Sequence, residues 1–326
     1  MKTLVTGSSG HLGEALMRTL GPNHDVVGLD INPSEFTTDV GSVSDPDVVQ
    51  RCLQGVECVY HTATLHKPHV VTHSKSDFVE TNILGTLVLL EAAVAAGVRS
   101  FIYTSTTSVF GDAMRPSEGE PATWVTEEVQ PIPRNIYGVT KSAAEELCQL
   151  FHRKHDLNCI VLRTSRFFPE EDDNKQMREA FSDSNAKANE FLYRRVDLED
   201  VVDAHLLASS RADQIGFGRY IISATTPIQP DDLQELRGNA PSVLSQRVPE
   251  YLPVYERLGW KMFQGIDRVY SNQAARRDLV WEPRYSFFTV LEAIIEGRDP
   301  ASPLAIAVGS KGYHTTVFDD GPCPVD

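Results

Sequence analysis

Short apolar runs rich in β-branched residues alternate with segments of helical periodicity through the first two thirds of the chain. Lys2–Thr6 reads as a buried strand that ends at Gly7. Leu12, Ala15, Leu16, Thr19 and Leu20 then fall at helical spacing, and Gly21-Pro22 stops that helix. Residues 25–29 repeat the strand pattern and run into Asp30. Further along, the pattern predicts a short helix over 46–53, a strand over 58–60 and a long helix over 77–96 closed by Gly97. A strand over 100–104, a helix over 136–155 and a strand over 159–162 follow, then a helix over 201–209 and a strand over 219–223. This alternation predicts an α/β fold, with a doubly wound parallel sheet of the Rossmann type.

After Arg163 the rhythm changes. Residues 170–190 are polar and read as irregular, and Pro227, Pro230, Pro241, Pro249 and Pro253 break the later chain into short pieces. The expected division is a nucleotide-binding sheet over 1–165 and 196–225, with a smaller mixed cap over 166–195 and 226–326. Composition narrows the picture. At 326 residues and 41% apolar, the chain can bury a large core. A formal charge of −15 disfavours nucleic acid, whose phosphate backbone needs a basic surface. No apolar run is read as reaching the ~20 residues of a membrane helix. The N-terminus meets Gly7 too soon for a secretory signal. The five cysteines (Cys52, Cys58, Cys148, Cys159 and Cys323) are odd in number and lack C-x-x-C spacing, which points to a reducing cytoplasm without disulfides or structural zinc.

The turn Gly7-Ser8-Ser9-Gly10-His11-Leu12-Gly13 joins the first strand to the first helix with G-x-x-G-x-x-G spacing. Gly7 permits the tight turn, Gly10 lets a pyrophosphate approach the backbone, and Gly13 lets the helix pack close. The helix N-terminus offers N–H groups and partial positive charge to phosphates. Asp30 ends the next strand, where a carboxylate would accept the adenosine ribose hydroxyls and repel a 2′-phosphate. No arginine follows it, so NAD is expected over NADP.

Tyr137 and Lys141 are four residues apart and share a helix face. A free phenol, with pKa ~10, is a poor base at neutral pH. A nearby ammonium and the positive ring of an oxidised nicotinamide would favour the phenolate; a shift of about 3 units corresponds to roughly 4 kcal/mol. Ser105, Thr106, Thr107 and Ser108 lie at the carboxyl end of the strand over 100–104, where ligands of open α/β sheets bind.

The glycine loop, Asp30, the hydroxyl run before Val109-Phe110-Gly111 and Tyr137-x-x-x-Lys141 together resemble the extended short-chain dehydrogenase/reductases. Within them, the chain is most similar to the NAD-dependent epimerase/dehydratase family that includes the UDP-glucose 4-epimerases. The likeness covers about residues 1–225 and resumes at Asp278-Leu279-Val280-Trp281-Glu282-Pro283. The resemblance implies Tyr137 as general base, Lys141 as its partner on the nicotinamide ribose, and Thr106 as the hydroxyl that shares a hydrogen bond with substrate. It implies cofactor contacts at Ser9, His11, Leu12, Asp39, Val40, Thr62, Ala63, Thr64 and Asn82, beside the three loop glycines and Asp30. It further implies a homodimer formed through the helices over 77–96 and 136–155.

Arg166 stands where the epimerases carry a sugar-nucleotide asparagine, and the acidic run 170–173 follows. Thr106-Thr107 stand where the 4,6-dehydratases carry Asp-Glu, which sets dehydration aside. His66, Thr107 and Arg166 are the expected substrate contacts, with Lys67, Arg194, Arg195 and Arg268 as further candidates. The histidine run His61, His66, His69 and His73 lacks a completing ligand, so no metal is expected. The stretch from Gly309 to His314 reads as ordered, closing the site or supporting a dimer. The expected activity is a redox-neutral epimerase acting on a sugar nucleotide. Its rivals are a net NAD-dependent dehydrogenase acting on a small hydroxy substrate and a non-catalytic NAD-binding regulator.

Overall fold

The β-branched runs pair edge to edge into one parallel sheet. In the computed structural model of the chain, which describes residues 1–312, 316 and 318, the strands are β1 (Lys2–Thr6), β2 (Asp25–Asp30), β3 (Asp39–Val40), β4 (Cys58–His61), β5 (Ser100–Thr106), β6 (Thr123–Val125), β7 (Asn158–Thr164), β8 (Phe217–Ile222) and β9 (Arg268–Tyr270). The large sheet runs β3-β2-β1-β4-β5-β7-β8, all parallel. Strand order reverses between β1 and β4, which opens a crevice at their carboxyl ends.

The helices are α1 (His11–Leu20), α2 (Pro46–Cys52), α3 (Lys75–Phe78), α4 (Gly85–Ala96), α5 (Ile136–His155), α6 (Lys175–Ala180), α7 (Asp183–Glu190), α8 (Leu198–Ile215), α9 (Leu233–Leu236), α10 (Ala240–Arg247), α11 (Tyr251–Leu258), α12 (Gln273–Asp278), α13 (Phe287–Ile295) and α14 (Pro303–Val308). Alternate side chains of each strand serve opposite faces. Val5, Tyr60, Ile102 and Ile160 pack against Leu12 and Leu16 of α1 and Val201 of α8. Their neighbours Leu4, Val59, Phe101 and Val161 pack against Val49 of α2, Leu90 of α4 and Cys148 of α5. Both faces are covered, so the middle of each central strand is apolar on both sides.

The long helix expected over 77–96 is interrupted. Val79–Leu84 forms a π-turn between α3 and α4. Thr86 Oγ1 donates to Asn82 O at 2.7 Å there, and the wider turn aims the Asn82 side chain at Leu65 in the turn after β4. The whole stretch Lys75–Ala96 is by length and composition apolar enough to cross a membrane, although no such run was expected; it packs onto α2 and α5 as a core element. The polar stretch 170–190 also departs from expectation. It folds into α6 and α7, started by the side chains of Asn174 and Ser182. Asn185 and Asn189 are buried because their amides donate to Lys261 O at 3.0 and 2.9 Å.

A second core lies above the sheet's carboxyl edge, built from Leu192, Leu236, Leu244, Tyr255, Phe263 and Phe287. Next to it β6 and β9 pair in parallel, Thr123 with Arg268 and Val125 with Tyr270. Trp281 ties the late motif to the sheet layer: its Nε1 donates to Asp200 O at 3.0 Å, and the Asp200 carboxylate accepts from the backbones of Arg284 and Tyr285. Tyr313, His314 and Cys323 lie outside the described residues.

Candidate active site

One cleft of about 2090 Å³ runs along the carboxyl ends of the strands, between the sheet and the second core. Its near wall is the glycine loop. Gly7 adopts φ +72°, and a Cβ on Gly13 would sit 1.8 Å from Gly7 O, so the loop closes only on glycine there. Gly10 starts α1 and no side chain caps it, which leaves backbone donors of the first turn directed at the cleft. Asp30 Oδ2 accepts from Ser9 N at 3.0 Å and Oδ1 from Asn32 N at 2.8 Å. Both carboxylate oxygens are thus oriented by backbone at the end of β2. An uncapped helix start, a loop that excludes Cβ atoms and an adjacent carboxylate fit the pyrophosphate and ribose of NAD.

Ser9, Gly10, His11, Leu12, Thr62, Ala63 and Thr64 line the same cleft. Asp39 and Val40 do not. They form the edge strand β3, with Val40 exposed, and the wall at this point is Gly41, Ser42 and Val43. Pairing with β2 holds 39–40 in register one step short of the wall. Asn82 lies behind the cleft. Its amide accepts from Leu65 N (2.9 Å) and Thr64 Oγ1 (3.0 Å) and donates to Leu65 O (2.9 Å) and Thr140 Oγ1 (3.0 Å). One buried side chain therefore fixes the 64–65 turn against α5.

The floor is the end of β5 and the start of α5. Asn135 caps α5 by accepting from Gly138 N at 3.0 Å. Tyr137 lies one turn before Lys141, buried but open to the cleft, with its phenol close enough to the Thr106 hydroxyl to feel it. Burial pushes the phenol up to about 12, and the Thr106 hydroxyl opposes this. Lys141 sits beneath the floor and does not line the cleft. Its Nζ donates to Thr104 O at 2.5 Å and lies 4.1 Å from the Tyr103 ring centroid. Burial brings its ammonium down to about 7, against the pull of Glu145. Glu145 is locked in turn by Ser105 Oγ at 2.5 Å and Arg163 Nη2 at 2.7 Å.

The far wall carries the expected substrate contacts. Thr107 is buried beside Thr106. His66 lines the cleft and stacks on Phe168, ring centroids 5.3 Å apart. Arg166 lines it as well, with its guanidinium already paired: Nη1 lies 3.0 Å from Asp172 Oδ2, and Nη2 donates to Glu171 O at 2.8 Å. Arg194 shares Asp172 at 2.8 Å and Glu190 at 2.6 Å, and Arg195 also bonds Glu190. Lys67 pairs with Asp173 at 3.2 Å. Arg268 lies over the rings of Tyr193 and Tyr270 and pairs with Asp267. Asp172 and Asp173 of the acidic run, with Glu190 and Asp267, thus neutralise the cationic wall. Phe168, Asp172 and Tyr193 line this cleft although motif reading gave them no role, Glu170 bonds His11 at its edge, and Lys311 and Gly312 line it from the stretch read as closing the site or supporting a dimer. The oddity of four acids after Arg166 was the available signal.

The fold and this cleft define an enzyme of the short-chain dehydrogenase/reductase type. The chain belongs to the NAD dependent epimerase/dehydratase family, whose model matches residues 3–222. It is 25% identical to the UDP-glucose 4-epimerase of Mycolicibacterium smegmatis over 91% of this chain and 98% of that protein. It is 29% identical to the NAD-dependent glucose-6-phosphate dehydrogenase of Haloferax volcanii over 49% of this chain. The chain spans 66% of that dehydrogenase's length, and 39% and 53% of two other relatives. In fold it matches a short-chain dehydrogenase/reductase superfamily protein from Agrobacterium tumefaciens with bound NAD. That match has a TM-score of 0.63 at 22% identity and covers 91% of this chain and all of the other.

Proposed function

We propose that the protein is an NAD-dependent epimerase acting on a sugar nucleotide through a transient ketone on the sugar. The observation that carries this reading is the Thr106–Tyr137 pair on the floor of the cleft that the glycine loop walls. At about 2090 Å³ the cleft is roughly twice a large single-ligand site, room for a dinucleotide and a second large ligand. The end-to-end likeness to a UDP-glucose 4-epimerase supports the same substrate class.

NAD, when bound, supplies an acceptor that takes hydride from the sugar carbon and returns it to the other face. Tyr137 Oη removes the sugar hydroxyl proton as the hydride leaves, and gives it back on return. Thr106 holds the same hydroxyl in line, and Lys141 supplies positive charge beneath the phenol. The buried phenol stays protonated until further positive charge arrives, which couples proton removal to cofactor binding. Glycine-loop donors hold phosphate, and Asp30 holds the ribose. His66, Thr107 and Arg166 meet the substrate.

A homodimer fits the apolar residues left exposed on Lys75–Ala96 and α5, including Val79, Leu84, Val139 and Leu150. A cytoplasmic setting fits the free buried cysteines Cys52, Cys58, Cys148 and Cys159. A second reading, net oxidation of a small hydroxy substrate, is favoured by one feature: the carboxylates already paired with Arg166. Incubating the purified protein with UDP-glucose separates the two. Interconversion with UDP-galactose without NADH accumulation supports the epimerase. NADH produced one-for-one with a small sugar, and no interconversion, supports the dehydrogenase.

A further inference from the structure

We infer that Glu170 ties residues 310–312 to the glycine loop as a strap that retains the bound dinucleotide. The inference rests on the NAD-binding reading of the cleft. Four donors from two distant segments gather at one carboxylate oxygen. His11 Nε2 and Ser310 Oγ each lie 2.8 Å from Glu170 Oε1, Lys311 N lies 3.1 Å away and Gly312 N 3.2 Å. The ammonium of Lys311 pairs with Glu14 in α1. Phe168, two residues before Glu170, packs its ring edge-on against His11 at 5.1 Å.

These contacts close a loop of chain. On one side, α14 is anchored in the sheet layer: Ser302 N donates to Asp197 Oδ2 at 3.1 Å, and Val308 joins the core under α1 and α8. On the other side, 310–312 reach the first turn of α1. Lys311 and Gly312 wall the same cleft as Gly10, His11 and Gly13. Burial alone would raise the Glu170 carboxyl, but the His11 and Ser310 hydrogen bonds hold it at about 2, so it stays ionised. The strap therefore crosses the helix start where the phosphates belong, and it is fastened by a permanent charge. A dinucleotide beneath it leaves only after the Glu170 contacts open. Retention suits a reaction in which the hydride taken up is given back.

The test is the release of NADH from the loaded full-length protein, chased with excess NAD and followed by nicotinamide fluorescence. Melting of the cofactor-free protein is recorded in parallel. Glu170→Gln keeps the shape and removes the charge; Lys311→Ala removes the pair with Glu14. The expected result is release about tenfold faster in E170Q and about threefold faster in K311A, with cofactor-free melting unchanged. Release within about twofold of the unaltered protein in both variants overturns the strap, as does a fall in melting temperature without faster release. If E170Q fails to fold, K311A decides by the same measure. An unaltered protein that takes up no NADH overturns the cofactor reading and the strap together, whereas ready uptake with unchanged release overturns the strap alone.

Discussion

Asp172 holds the Arg166 guanidinium at 3.0 Å on the cleft wall, and the same oxygen takes Arg194 at 2.8 Å. A carboxylate thus occupies the donors that a substrate phosphate would use. Asp172→Asn keeps the shape and frees part of that charge. A charge-assisted hydrogen bond contributes about 1.5–3 kcal/mol, so the affinity for UDP should rise about tenfold or more. Titration calorimetry on the NAD-loaded protein measures it. Unchanged UDP affinity would mean that the phosphates lie elsewhere.

Tyr137→Phe leaves the ring and removes the hydroxyl that Thr106 contacts. Turnover should fall about 10²- to 10⁴-fold, while NADH affinity changes far less. The comparison is steady-state turnover against fluorescence titration of NADH. A variant that turns over at the full rate excludes Tyr137 as the base.

The Tyr137 phenol, at about 12 without cofactor, should ionise at lower pH when NAD is bound. The oxidised ring is a cation in a dry site, and one pH unit corresponds to about 1.4 kcal/mol. NADH lacks that charge and should leave the titration near its starting value. The ultraviolet phenolate difference between the unaltered protein and Tyr137→Phe, recorded with each cofactor form, reads this directly. Equal titrations with NAD and NADH would mean that Lys141 alone, or nothing, tunes the base.

Much of this was legible in the chain because its signals are local. β1 and the glycine loop are adjacent in sequence, and α5 carries both its cap, Asn135, and its chemistry, Tyr137 and Lys141, within seven residues. The rest depends on partners far along the chain. Asn185 and Asn189 fall in a stretch that reads as polar and irregular until Lys261 O supplies their partner. Asp172 reads only as part of an acidic run after Arg166 until Arg194 arrives from 22 residues on. The strands β6 and β9 are three residues each and some 140 residues apart, too short for any period to show. Lys141 matched its motif, yet its burial beneath the floor follows from the Thr104 carbonyl and the Tyr103 ring, which spacing does not reveal.

Gly13→Ala tests the loop. The added Cβ would meet Gly7 O at 1.8 Å, a backbone atom of the turn directly after β1 that cannot swing aside as a side chain could. Overpacking of this kind costs about 1–3 kcal/mol. The loop and the start of α1 must separate, which disturbs the phosphate donors. NADH affinity should fall at least about tenfold, together with a lower urea midpoint. Unimpaired NADH binding would place the cofactor away from this loop.

His61 gives the fold a defined acid sensitivity. Its Nδ1 lies 2.7 Å from Thr6 Oγ1 and its Nε2 3.0 Å from Thr86 Oγ1, so β1, β4 and α4 meet at a neutral imidazole. Burial, reinforced by the charge of Lys141, brings it down from the usual 6.5 to about 3. Between those two values the unfolded chain binds a proton that the folded chain does not. Stability is therefore complete above about pH 6.5 and is lost as pH falls toward 3, at about 1.4 kcal/mol per pH unit for this one proton. His61→Gln cannot take up that proton. Urea unfolding at pH values between about 6.5 and 4.5 should show a stability loss per pH unit smaller by about 1.4 kcal/mol in H61Q than in the unaltered protein, whatever the variant's absolute stability. Identical slopes would mean that the folded protein takes up the proton at His61 as readily as the unfolded chain does.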